Sequence, residues 1–168
     1  AIHAMIAVLG DSTITKDAFE LFEKLLEDVN SDVRAAAVYG IGNIVIILEG
    51  TEIAKQALSL VFNKLSDKDS NVREVSTHAI GSIVYDIKDR QLVDEAYGSV
   101  ILKLNDADSK VRRAAIKAIA KIVKVYEDKK MAKNALTFLI QMLNNIEDDV
   151  RYDLINEVGG ILEIIKDI

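Results

Sequence analysis

The dipeptide Val-Arg occurs at residues 33–34, 72–73, 111–112 and 150–151, and each occurrence lies 39 residues from the next. Its surroundings recur with it: LLEDVNSDVR, KLSDKDSNVR, KLNDADSKVR and MLNNIEDDVR each place a Leu and an acidic or amide residue ahead of the pair. Ala18, Ala57, Ala96 and Ala135 hold one position of the same period, and Ile44, Ile83, Ile122 and Ile161 hold another. A unit of this length is too small to bury its apolar face alone. It must stack on its neighbours, so the chain is expected to form a solenoid.

Each period divides into two helical patterns. Helix A is expected over about 14–27, 52–65, 91–104 and 130–143. In the first unit Ala18, Leu21, Phe22, Leu25 and Leu26 are expected to form its apolar stripe. Helix B is expected over about 31–48, 70–87, 109–126 and 148–165. The link before each B helix carries Asn30, Asp69, Asp108 or Glu147, followed by Ser31, Ser70, Ser109 or Asp148. Short polar side chains there satisfy the unpaired first amides of a helix, and acidic ones suit its positive end. No segment alternates as a strand would.

Helix B also contains glycine, although Gly in a helix interior costs roughly 1 kcal/mol relative to Ala. One register holds Gly42, Gly81, Ala120 and Gly159. A small side chain at a fixed position of a stacked repeat is expected where neighbouring helices approach closely.

Composition narrows the function. The chain of 168 residues has no cysteine, which removes disulfides and thiolate metal sites and suits a cytoplasmic, intracellular protein. Its net charge of −6 argues against a general nucleic-acid binder. The longest apolar runs, such as IVIIL at 44–48, are far short of the ~18 residues of a membrane span. The two histidines, His3 and His78, have no recurring acidic companion, so neither a metal site nor a cofactor is expected. GIGN at 40–43 lies within a helical pattern and follows no strand, so it is not a phosphate loop. No catalytic residue is assigned. KDR at 88–90 and EDKK at 127–130 read as solvated links between helices.

The turn-plus-helix pattern resembles the HEAT repeat family. In the second unit it is carried by Leu65, Asp67, Val72, Arg73, Ala79, Ile80 and Gly81, with equivalents in the other units. The resemblance implies an all-α fold, a right-handed α-α superhelix of antiparallel helix pairs. It covers residues 11–168 as four units of about 11–50, 51–89, 90–128 and 129–168, within a single domain spanning 1–168; residues 1–10 align with the end of a preceding B helix. The chain departs from the family by having Ser or Asp where Pro often opens helix B, and Asn145 where the fourth unit should have an Asp. The family also implies a structural ladder in which Arg34, Arg73, Arg112 and Arg151 pair with the turn carboxylates Asp28, Asp67 and Asp106 of adjacent units.

By the same resemblance the B helices line a concave groove. Helical phase places Ala35, Tyr39, Asn43 and Ile46 on it in the first unit, and Glu74, His78, Ser82 and Tyr85 in the second. The third unit contributes Arg113, Lys117, Lys121 and Lys124, and the fourth Tyr152, Asn156, Gly160 and Glu163. A wholly basic row beside tyrosines suits a groove for another protein or peptide of acidic character. A lysine run is also what a merely solvated helix face looks like. The expected function is a non-catalytic scaffold or adaptor with no membrane role; the alternatives are a nucleic-acid-associated module using the third row, and a HEAT-like enzyme subunit. In the last unit Asp153 and Glu157 replace small or apolar residues, and they are expected to face outward as a capping surface at a natural C-terminus, whereas the N-terminus reads as a truncation.

Overall fold

A computed structural model of the chain describes residues 13–87, 89–143 and 148–166. Eight α-helices account for most of these: α1 (Thr13–Leu25), α2 (Ser31–Ile47), α3 (Glu52–Lys64), α4 (Ser70–Ile87), α5 (Arg90–Ile101), α6 (Ser109–Tyr126), α7 (Lys129–Met142) and α8 (Asp148–Lys166). A 3-10 turn, Leu102–Asn105, ends α5 where a full α-helix was expected to run on. No strand is present among the described residues. His3, Lys88, Asn145 and Glu147, and the expected partial helix at 1–10, lie outside them.

The chain divides into two compact units, residues 1–79 and 80–168, with the boundary inside α4. In the first, α2 packs against α1 and α3. Its core gathers Phe19, Leu26, Val38, Ile41, Ile44, Ala57, Val61 and Val72. The α1 stripe differs from expectation: Phe19 is buried and Leu21 is 54% exposed, because the helix turns Thr15, Phe19 and Leu26 inward. In the second unit, α6 packs against α5, α7 and α8. Val93, Val100, Ile116, Ile119, Ile122, Leu139, Leu154 and Ile161 fill that core.

The three described links before the B helices α2, α4 and α6 are built alike. Asn30 Oδ1 accepts from the Asp32 amide at 2.8 Å, Asp69 Oδ1 from Asn71 at 2.9 Å and Asp108 Oδ1 from Lys110 at 2.9 Å. One step upstream, Asp28, Asp67 and Asp106 accept from the amides of Asn30, Asp69 and Asp108 at 2.8, 2.9 and 3.0 Å. Two short acceptors in tandem thus hold each turn and hand the chain into its helix. The links that follow α2 and α6 use left-handed backbone instead, at Gly50 (φ 81°) and Glu127 (φ 45°).

Buried hydroxyls in α4 are satisfied within the helix. Ser76 Oγ donates to the Val72 carbonyl at 2.7 Å and Thr77 Oγ1 to that of Arg73 at 2.8 Å. Neither needs an outside partner to be tolerated there.

Candidate interaction surface

The arginine of the repeat is placed by its own turn. Arg34 Nη1 donates to the carbonyls of Asp28 (2.8 Å) and Val29 (3.3 Å), Arg73 Nη1 to those of Asp67 (2.9 Å) and Lys68 (3.2 Å), and Arg112 Nη1 to those of Asp106 (2.8 Å) and Ala107 (2.9 Å). Such a staple follows from the six-residue step between turn and arginine. In the first unit of the structure the same guanidinium also reaches forward: Nε and Nη2 of Arg34 donate to Asp67 Oδ2 and Oδ1 at 3.0 and 2.9 Å, with both side chains buried. Burial pushes the Asp67 carboxyl up, but the Arg34 hydrogen bonds, the Asp69 amide and the charges of Arg34 and Lys64 outweigh it, so the carboxyl lies below its usual range. Arg151 occupies the same register on α8 and is exposed.

The candidate contact residues fall into a row on each unit. In the first, Tyr39 is 67% exposed, Asn43 and His78 are also exposed, and Glu74 is half-buried. Ala35 does not belong to this row: it is buried, its single methyl lying on the inward edge of the helix face, and Ile46 is half-buried. In the second unit Tyr85 and Tyr152 are 54% and 72% exposed, and Asn156, Lys121 and Lys124 are exposed as well. Arg113 and Lys117 are half-buried.

The basic row on α6 is not an open array of cations. Arg113 Nε lies 2.8 Å from Asp153 Oδ2, Lys117 Nζ 3.3 Å from Asp153 Oδ1, and Lys124 Nζ 3.5 Å from Glu157 Oε2. Lys121 Nζ approaches Ser82 Oγ at 3.4 Å. Asp153 and Glu157 therefore face back onto α6, not outward as a cap. The phase of the repeat explains it. They occupy the register of Ala114 and Ala118, and Ala118 lies against Gly81 of α4, so within the second unit this side of a B helix points to the preceding B helix. The four-residue spacing of the acids was legible; which neighbour they faced required that contact.

This pairing carries a prediction. A variant with Asp153→Asn and Glu157→Gln is expected to elute from a heparin column at higher salt than the parent, because three cations lose their internal counter-charges. Unchanged elution would mean that these pairs contribute no local neutralisation.

Two further contacts were not anticipated. Arg90 Nη2 donates to Asp128 Oδ2 at 2.8 Å, lies 3.5 Å from Asp94 Oδ1, and stacks over the Tyr126 ring at 5.7 Å. The links at 89–90 and 127–128 are thus tied together and are more than solvated loops. The second is Tyr97 Oη, which donates to Asn134 Oδ1 at 2.8 Å, while burial pushes the Tyr97 hydroxyl pKa up to about 12. Their signal in sequence was the 37- and 38-residue separation of complementary groups, close to one period.

A cavity of about 370 Å³ lies at the turn end of α5 and α7, lined by Leu104, Asp106, Arg112, Phe138 and Met142 among others. Its arginine is engaged with the turn carbonyls already described, so the cavity does not gather polar groups toward a common ligand. Among the described residues no cluster of three His, Cys, Asp or Glu is placed to hold a metal ion, and no helix is long and apolar enough to cross a membrane.

Comparison with known proteins agrees with this architecture. The family model for GCN1-like, C-terminal HEAT repeats matches residues 47–152, and the HEAT repeat model matches residues 18–48. No curated protein matches the sequence. Among solved structures, a chain from the study of Kap95p binding to RanGDP is 20% identical, with a TM-score of 0.71 over 90% of this chain and 19% of that one. A designed armadillo repeat protein in complex with the peptide (KR)4 is 23% identical, with a TM-score of 0.63 over 91% of this chain and 66% of its own. Armadillo repeat proteins designed computationally for modular peptide recognition give 23% identity and a TM-score of 0.59, covering 86% of this chain and 63% of theirs. The chain spans from about a fifth to just under two thirds of the solved chains it matches. These likenesses show an all-α repeat fold of the solenoid class. With the family model covering more than half of its length, the chain belongs to the GCN1-like, C-terminal HEAT repeats.

Proposed function

We propose that residues 1–168 work as one non-catalytic scaffold domain that binds a partner protein or peptide through the exposed rows of its B helices. The observation that carries this reading is the exposure of Tyr39, Tyr85 and Tyr152, three large amphipathic side chains at B-helix positions. Tyrosine offers much contact area at little entropy cost and is enriched in binding hot spots. The solved relatives named for binding RanGDP and the peptide (KR)4 support the same class of function. Because Asp153 and Glu157 already neutralise most of the α6 row, the partner is recognised mainly by aromatic and amide contacts, with Lys121 left to favour an acidic group. That also weighs against a nucleic-acid role, which would need uncompensated cations.

The test uses the 168-residue chain as bait in a lysate of its source organism, followed by reconstitution with the captured protein in pure form. Tyr39→Ala and Tyr152→Ala are each expected to weaken binding at least about tenfold, the scale of a hot-spot truncation. Binding that ignores both substitutions, or capture that disappears on nuclease treatment, would overturn the reading.

A further inference from the structure

The hydroxyls of Ser59, Ser76, Thr77 and Thr137 fold back on their own helices, donating to the carbonyls of Lys55, Val72, Arg73 and Lys133 at 3.1, 2.7, 2.8 and 2.9 Å. Ser82 on α4 is different. Its oxygen accepts from Lys121 Nζ at 3.4 Å, and its own hydrogen meets no acceptor among the described residues.

The donor to Ser82 also stands apart from the other cations of α6. Arg113 and Lys117 share Asp153, and Lys124 is drawn across α8 to Glu157, with its Nζ 3.1 Å from where a Cβ on Gly160 would stand. Lys121 is exposed and has no carboxylate in ion-pair reach among the described residues. Its contact with Ser82 uses one of the three hydrogens of the ammonium and leaves two. Two donor groups, one of them charged, therefore meet at a single point of the surface. Standing 3.4 Å apart, they leave room for one acceptor oxygen at about 2.8 Å from each, an ordinary length for such bonds. Three residues along α4, on the same side of the helix, Tyr85 presents a ring that is 54% exposed.

We infer that Lys121 and Ser82 form a carboxylate subsite: an Asp or Glu of the bound peptide sets one oxygen between them, and an apolar side chain beside it in the peptide covers the Tyr85 ring. This rests on the scaffold reading above and adds what the partner must carry. Charge selects a carboxylate. It brings one negative charge to one ammonium, whereas a phosphate near its dianionic state would call for a second cation, and Lys117 and Lys124 are already held by Asp153 and Glu157. An exposed ion pair alone contributes little. Here the carboxylate also accepts from a hydroxyl, and the covered ring keeps water from the contact.

The test is selection of displayed random peptides on the 168-residue chain, followed by affinity measurements with the tightest of them as a synthetic peptide. Asp or Glu next to an apolar residue is expected to be enriched on the parent chain and not on Lys121→Met, which keeps the stem and removes the charge. Exchanging the acid of the peptide for its amide should cost about fivefold on the parent, the upper end for an exposed pair, and nothing on Lys121→Met. Ser82→Ala should cost about twofold, and phosphoserine in place of the acid should bind no tighter than the carboxylate. Selected peptides without an acidic preference overturn the inference, as does a preference that persists on Lys121→Met or a clear preference for phosphoserine. In each of those cases the scaffold reading still stands if the same peptides lose affinity on Tyr152→Ala, so the two fail separately. A library from which nothing is retained also overturns the subsite, whereas the scaffold reading is decided by the protein captured from the lysate.

Discussion

Gly81→Leu is expected to destabilise the chain by about 2 kcal/mol. A Cβ at this position would stand 2.9 Å from Ala118 Cβ and 3.0 Å from Ala118 Cα. The second of these is backbone, which no rotamer change moves aside, so the overpacking cost belongs at or above the upper end of the usual range, about 3 kcal/mol. Against it stands the gain of removing glycine from a helix interior, about 1 kcal/mol. Urea denaturation followed at 222 nm reads the difference. Gly98→Ala, on α5, is the matched control: nothing lies within 4 Å of its added Cβ, so only the propensity gain remains and stability rises by about 0.5–1 kcal/mol. Adding Ala118→Gly to Gly81→Leu should recover part of the loss, since the two sites touch and their effects are not additive. A Gly81→Leu variant as stable as the parent would show that α4 and α6 separate at no cost.

The second large effect is at Asp67. Asp67→Ala removes the carboxylate that accepts two hydrogen bonds from Arg34 and leaves a guanidinium buried without its counter-charge. The melting temperature is expected to fall by several degrees. Glu52→Gln, which breaks a fully exposed pair with Lys55, should change it little. The pH dependence follows from the direction of the Asp67 shift. A carboxyl held below its unfolded value stabilises the fold above that unfolded value and loses the contribution as pH falls through the folded one. The gap in stability between the parent and Asp67→Ala should therefore be constant from neutrality to about pH 5 and narrow below about pH 4. A gap that stays constant into strong acid would show that the ion pair is not its source.

Much of this architecture could be read from the chain before any coordinates. The 39-residue period placed the helix boundaries within a few residues, because each unit repeats a short polar link before helix B and an Ile that is buried in all four, Ile44, Ile83, Ile122 and Ile161. What the period could not tell was direction. Ala118 and Gly81 are both small, and a small residue signals a close contact without saying on which side the neighbour lies. Asp153 and Glu157 inherited that ambiguity: they were legible as a pair on one face, but only the Gly81 contact shows that the face looks backward to α6. The α1 stripe erred for a different reason. Leu21 and Phe19 both fit helical spacing, and a helix rich in apolar residues does not fix its own rotation. The Arg90, Asp128 and Tyr126 cluster was harder to see because its members lie at helix ends and in the link between them, away from the repeated apolar columns.

The arginine staple also governs where the chain tolerates a change of length. Val29 is 95% exposed, and by burial alone the segment around it would pass for a site at which foreign residues could be inserted. Its backbone is not free. The Val29 carbonyl accepts from Arg34, the carbonyl before it accepts from the same nitrogen, and the amide after it is held by Asp28. One added residue there would take the guanidinium off its carbonyls and, through the same side chain, off Asp67. The left-handed link at Gly50 is exposed and held only locally, by the Thr51 amide and hydroxyl that both donate to the Leu48 carbonyl, so residues added there would loosen one turn and leave every buried ion pair in place.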